Sequence, residues 1–186
     1  MKNFFGWNVS KLANEEYGYC STNNFSMYNH APRNYACPFC SLLQGNKNKD
    51  LLSVASDIFY RDESVCAMIS SRQWPNNHGH ALVFPIEHFE NIYDLPVELG
   101  CKIHRIAQKI ALAMKTLYGC DGISTRQHNE PAGNQDVWHY HLHVFPRYAG
   151  DQLYTSNYAE MPAEARAEFA NLLRNYFRSH SAIIGS

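Results

Sequence analysis

The chain has 186 residues, 45% of them hydrophobic, and its 16 Lys and Arg against 17 Asp and Glu leave a formal net charge of −1. That length suits one domain with a sizeable core. The balanced charge argues against a basic surface for nucleic-acid backbones, and without a run of about 18 apolar residues no membrane-spanning helix is expected.

In chain order, residues 1–34 are rich in Asn, Tyr and Ser, show no periodicity and read as an irregular extension, with 35–186 as the domain proper. The opening residues, Met1 to Asn8, lack the apolar core of a secretion signal, so a cytoplasmic location is expected. The six cysteines, Cys20, Cys37, Cys40, Cys66, Cys101 and Cys120, accordingly read as reduced thiols. Cys37-Pro-Phe-Cys40 has the spacing of a metal-ligand pair or of a redox pair, although no thioredoxin-like βαβ pattern surrounds it. Residues 41–45 then suit one or two helical turns. Strands are expected over 53–60 and 65–69, joined by a hairpin turn at 61–64, and over 79–85, where Pro85 ends the run. Residues 70–78, with Trp74-Pro75, read as a polar loop. Leu99, Ile103, Ile106, Ile110, Ala113 and Leu117 recur at helical spacing, predicting a long helix over 96–118 that Gly119 stops. A strand over 123–127, a loop over 128–134 and a last helix over 162–180 follow. Antiparallel strands interrupted by one long helix and followed by another predict an α+β fold with a five-stranded sheet and two principal helices.

The stretch Asn134 to Arg147 is the most informative. His139, His141 and His143 alternate with Trp138, Tyr140, Leu142 and Val144. At the period of a strand, this predicts an exposed row of imidazoles on one face and apolar groups on the core face. His139 and His143 would lie about 13 Å apart along an extended strand, too far to share one zinc through bonds of about 2.0–2.1 Å. The row therefore divides its labour: an outer histidine is available to a metal, while the middle one suits nucleophilic or acid–base chemistry. A neutral imidazole attacks through one nitrogen while an acceptor holds the other as N–H. Phosphorus is a natural target, because neighbouring imidazoles can hydrogen-bond its oxygens.

His139-Tyr-His141-Leu-His143-Val-Phe145 resembles the His-φ-His-φ-His-φ-φ signature of the histidine triad (HIT) proteins, and Gly79-His80-Ala-Leu-Val-Phe-Pro85-Ile-Glu-His88 resembles that family's preceding strand motif. The resemblance covers roughly residues 37–150. It implies a HIT-like fold, a homodimer and a nucleotide or nucleoside phosphate derivative as partner. It implies that His141 attacks the α-phosphorus to form a nucleotidyl-histidine, with His143 on the phosphate, the His139 carbonyl orienting His141, and His80 supporting the triad. It places Asn134, Gln135 and Asp136 in a turn beside the phosphate. The set Cys37, Cys40, His88 and His139 resembles the closed structural zinc site of some relatives. Implied substrates are nucleoside phosphoramidates, aminoacyl-adenylates and dinucleoside polyphosphates.

Some positions depart from that pattern. Where relatives carry a serine or threonine against the leaving group or phosphate, this chain has Asp136; where many have a ribose-binding aspartate, it has Ser70. Met68, Ile69 and Trp74 are candidates to wall a base pocket. The family's polar side chain before the glycine-rich turn is assigned to Asn129 by residue type, although position alone favours His128. Arg147 is placed to reach a phosphate or to form a surface ion pair. These departures keep a second reading open, a nucleotide-binding or scaffold protein with little turnover.

Overall fold

The structure is a computed structural model that describes residues 25–46 and 52–180. In chain order its elements are α1 (Pro38–Leu43), β1 (Ile58–Arg61), β2 (Val65–Ile69), β3 (Arg72–Gln73), β4 (Ala81–Pro85), α2 (Val97–Tyr118), β5 (Gly122–Gln127), β6 (Leu142–Arg147), β7 (Ala159–Glu160) and α3 (Ala163–Ser179). Five strands form an antiparallel sheet in the order β1-β2-β4-β6-β5, and β3 pairs with β7 in a small second sheet.

Period-two alternation sorts side chains between the two faces of the large sheet. Val65, Ala67, Ile69, Ala81, Val83, Leu142 and Val144 meet the apolar stripes of α2 and α3. Cys66, Met68, Leu82 and Phe84 meet Phe39 and Leu42 of α1 and Cys37 before it. Gly79 sits where α2 and α3 close on the sheet. Its φ is +90°, and a Cβ there would lie 2.7 Å from the Tyr118 ring and 3.1 Å from that of Phe169, so glycine meets both a backbone and a space requirement.

Several expectations are corrected. The strand predicted from residue 53 begins at Ile58, because Ala55–Asp57 form a 3-10 turn in which the Asp57 carboxylate accepts the Val54 N–H at 2.8 Å. The loop over 70–78 contains β3, whose partner β7 is distant in sequence. The histidine strand starts only at Leu142; before it the Tyr140 N–H donates to the Phe89 carbonyl at 2.6 Å instead of joining the β4 ladder. The row of imidazoles is also not exposed: His139 and His141 are buried, and Trp138 lies half-buried beside His30 instead of in the core.

Asp57 and Arg166 are both buried and make two contacts of 2.9 Å, and Arg166 Nη2 also donates to the Leu52 carbonyl at 2.8 Å. The pair staples α3 to the segment ahead of β1. Asp57→Ala strands a buried guanidinium, so urea denaturation should show a loss of about 3–5 kcal/mol; a loss under about 1 kcal/mol would show the pair to be idle.

Among the described residues no helix is long and apolar enough to cross a membrane, and Cys37, Cys40, Cys66, Cys101 and Cys120 are unpaired by disulfides. Cys20 and residues 1–24 of the predicted extension lie outside the described residues.

Candidate active site and metal centre

The sheet face covered by α1 opens into a cavity of about 500 Å³, lined by His80, His141 and His143 together with Phe39, Met68, Ser70, Arg72, Trp74, Leu82, Asp136 and Tyr158. Only His143 of the three alternating histidines belongs to the ladder, opposite Leu82. His141 reaches the same cavity from the extended residues just ahead of β6. The two rings lie 4.8 Å apart.

Hydrogen bonds fix what each imidazole presents. His141 Nδ1 lies 2.7 Å from the His139 carbonyl oxygen. A carbonyl only accepts, so Nδ1 carries the proton and Nε2 holds the lone pair. Nε2 has no hydrogen-bond partner among the described residues, and the ring lines the cavity. Burial drives the His141 pKa below its ordinary 6.5, although the His139 carbonyl and the Asp136 charge pull it the other way. The ring is thus held as a neutral base.

The same logic runs along the next pair. His80 Nδ1 must donate to the Arg72 carbonyl at 3.2 Å, so His80 Nε2 accepts from His143 Nδ1 at 3.0 Å. His143 then also turns an unprotonated Nε2 outward, and burial, with the neighbouring histidines and Arg126 adding to it, pushes its pKa well below 6.5. The rings of His80 and Phe145 stack at 4.0 Å and lock the pair against β6. Burial lowers His80 to about 3, with Arg126 and His141 adding to the effect.

A pH dependence follows from His80. Between pH 6.5 and about 3 the unfolded chain binds a proton that the folded protein refuses. Stability is therefore full above pH 6.5 and falls on acidification, by about 1.4 kcal/mol per pH unit from this residue. Urea melts between pH 6 and 4 should show that slope reduced by about this amount in His80→Gln; an unchanged slope would show that His80 titrates alike in both states.

The third histidine serves elsewhere. His139 Nε2 donates to the Pro85 carbonyl at 3.0 Å, leaving Nδ1 to face Cys37 Sγ at 3.4 Å and Cys40 Sγ at 3.7 Å. His88 Nδ1 lies 3.4 Å from Cys40 Sγ. The four donor atoms fall within 4.8 Å of one another. Tetrahedral zinc with ordinary bond lengths places S and N ligands about 3.6 Å apart, so the cluster could hold a metal ion. Burial lowers the pKa of both His88 and His139 and pushes the Cys37 thiol up to about 12. The imidazoles thus offer lone pairs, while the Cys37 thiol needs a cation to deprotonate it. The Pro85 carbonyl is the outer partner that fixes the His139 tautomer for ligation.

The other expected binding residues divide. Ser70 and Asp136 line the cavity, as do Met68 and Trp74. Ile69 faces the helices in the opposite core. Asn129 bonds to Gln127 and to the Ile92 N–H, while His128 approaches His143 at 5.5 Å between ring centroids. Gln135 is buried, with its side chain bonded to the Glu90 and Val137 carbonyls and the Glu130 N–H. Asn134 is exposed at φ +65° and turns the loop. None of Ile69, Asn129, Asn134 and Gln135 lines the cavity. Arg147 forms the ion pair, bonding Asp151 at 2.6 and 2.8 Å. Sequence reasoning missed Phe39, Arg72 and Tyr158. Phe39 meets the His141 ring edge-on at 5.4 Å, and Tyr158 arrives through the β3–β7 pairing.

Comparison with known proteins agrees with this geometry. The protein called hit of Bacillus subtilis is 34% identical over 112 residues, 60% of this chain and 71% of that protein. A zinc-bound histidine triad family protein from Mycobacterium smegmatis superposes with a TM-score of 0.65 at 28% identity, covering 80% of this chain and 97% of that one. The adenylylsulfatase of Arabidopsis thaliana is 25% identical over 64% of this chain and 56% of its own length. The model of the HIT domain matches residues 52–150, more than half of the sequence, and the chain belongs to the HIT family.

Proposed function

We propose that the protein is a nucleotidyl hydrolase or transferase in which His141 Nε2 attacks the α-phosphorus of a nucleoside phosphoramidate, an adenylyl derivative or a dinucleoside polyphosphate. The observation that carries this reading is the His141 ring itself, neutral, donating Nδ1–H to the His139 carbonyl at 2.7 Å and presenting a lone pair to a cavity of nucleotide size. As the N–P bond forms, positive charge develops on the imidazole, and the His139 carbonyl dipole is already oriented to stabilise it. His143 Nε2 hydrogen-bonds a phosphoryl oxygen once protonated, a step that the phosphate's own charge favours. Met68, Leu82 and Phe39 offer an apolar wall for the base, and the Ser70 hydroxyl a contact for the sugar. Similarity to an adenylylsulfatase supports an adenylyl group as the part retained.

Cys37, Cys40, His88 and His139 would hold a structural zinc ion. Four protein ligands leave it no open position for substrate, so bound metal would supply cross-linking of α1 to the sheet and no reaction chemistry. The protein pairs as a homodimer in this reading, which the outward-facing Val97 and Leu112 of α2 support.

Intact-mass measurement after brief incubation with a panel of adenosine nucleotides tests the reading. It should show one added nucleotidyl group, lost in His141→Ala. The second reading, binding without turnover, is favoured by the Asp136 carboxylate in the cavity, which repels a phosphate; it predicts tight adenosine monophosphate binding and no added mass.

A further inference from the structure

Beside the histidines the cavity carries a cation that the reaction above does not use. Arg72 lies two residues past Ser70, its backbone fixed by the pairing of β3 with β7. Its Nη1 donates to Asp136 Oδ2 at 2.5 Å, and its guanidinium carbon lies 5.0 Å from the centroid of the Tyr158 ring. Arg72, Asp136 and Tyr158 line the same cavity as His141 and His143. Asp136 stands five residues ahead of His141 in the chain and lines the cavity with it. The remaining donors of Arg72, Nη2 and Nε, have no partner among the described residues.

A second guanidinium stands behind His143. Arg126 packs 4.4 Å from the Phe145 centroid and 5.2 Å from that of Trp74, with its Nε buried and unpartnered. Among the described residues no carboxylate pairs with it. Two guanidiniums and one carboxylate therefore surround the imidazoles, a balance that favours a substrate carrying more than one negative charge.

We propose that Arg72, tethered by Asp136 and stacked on Tyr158, binds the leaving group, and that the site takes nucleotidyl derivatives whose leaving group is an oxyanion such as sulfate or phosphate in preference to an amine. The proposal rests on the reading of His141 as nucleophile. In the first step the His141 Nε2 lone pair forms the N–P bond as the bridging P–O bond breaks. The electron pair of that bond stays on the leaving oxygen, so a sulfate group passes from one negative charge to two. Two guanidinium N–H groups meet that growing charge, and no proton has to be delivered. An amine would take the pair on nitrogen and need a proton, which a guanidinium does not release. Water then attacks phosphorus, the N–P pair returns to Nε2, and the nucleoside monophosphate leaves with release of the water proton.

The test compares adenosine 5′-phosphosulfate with adenosine 5′-phosphoramidate, which share the nucleoside and the α-phosphate. The ratio of their kcat/KM values, sulfate over amide, is expected to fall about 30-fold in Arg72→Ala, the worth of one charged hydrogen-bonded contact. It should recover in part in Arg72→Lys, which keeps the charge but loses the fork. A structural role, or a contact with the ribose, lowers both substrates together; an unmoved ratio in Arg72→Ala therefore overturns the proposal, as does a wild-type preference for the amide. If the wild type turns over neither substrate, the nucleophile reading falls and this assignment with it. Turnover with a ratio independent of Arg72 removes this assignment alone.

Discussion

His141→Ala should lower kcat/KM for the best adenylyl substrate by about 10⁴-fold or more, the scale on which removal of a covalent nucleophile acts. The size follows from the absence of a substitute: His80 Nε2 is taken up by His143, His143 Nε2 is the group given to the phosphoryl oxygen, and His139 turns its free nitrogen to the two thiols. His141→Asn is the sharper variant. Its amide can still donate to the His139 carbonyl and keep the loop in place, yet it brings no basic lone pair to phosphorus. Steady-state kinetics of both variants should show the same loss, while calorimetric binding of adenosine monophosphate survives within roughly tenfold, because the cavity walls remain. Residual activity within tenfold of wild type would remove His141 from the reaction.

The second large effect concerns the metal. Protein purified without chelator should carry about one equivalent of zinc per chain, and Cys37→Ser with Cys40→Ser should abolish it. Metal loss should lower Tm by about 10 °C or more. Even ~4 kcal/mol, well below the ~10–16 kcal/mol of structural zinc in small peptides, moves a domain of this size by about 2–4 °C per kcal/mol. Cys66→Ala is the control, since it takes a buried sulfur from the same apolar cluster without touching the four donors. Chelation that leaves Tm unmoved, or less than about half an equivalent of metal in the wild type, would show the cluster to be four unligated side chains.

How much was legible in the sequence depended on whether a residue's role is set by local period or by distant chain. His143 and the core positions Leu142 and Val144 follow from alternation alone. Ile69 and Met68 are both apolar neighbours on β2, so nothing local says which of them faces the cavity; the register opposite Leu82 and Ala81 decides it. The start of β6 was misplaced because Tyr140 bonds to Phe89, a tertiary contact that overrides strand period. Gln135 was expected in a turn beside the phosphate through the family likeness alone, whereas its buried side-chain amide satisfies the backbone around it. Arg72 and Tyr158 are brought together only by the β3–β7 pairing, across 86 positions of the chain. No window of sequence contains that pairing. The four metal donors, by contrast, were readable as a set only through the family likeness, because Cys37 and His139 stand 102 residues apart.

That separation also sets a timetable. Helix α1 is six residues long and has no side-chain cap, too short to persist in water by itself. It holds its shape only once docked on the sheet through Cys37, Phe39 and Leu42. At ribosomal speeds of about 5–20 residues per second, a hundred residues take about 5–20 s to follow it out. For that interval the nascent Cys37 and Cys40 thiols stand open to oxidants and to any passing soft cation, before the partners that will enclose them exist.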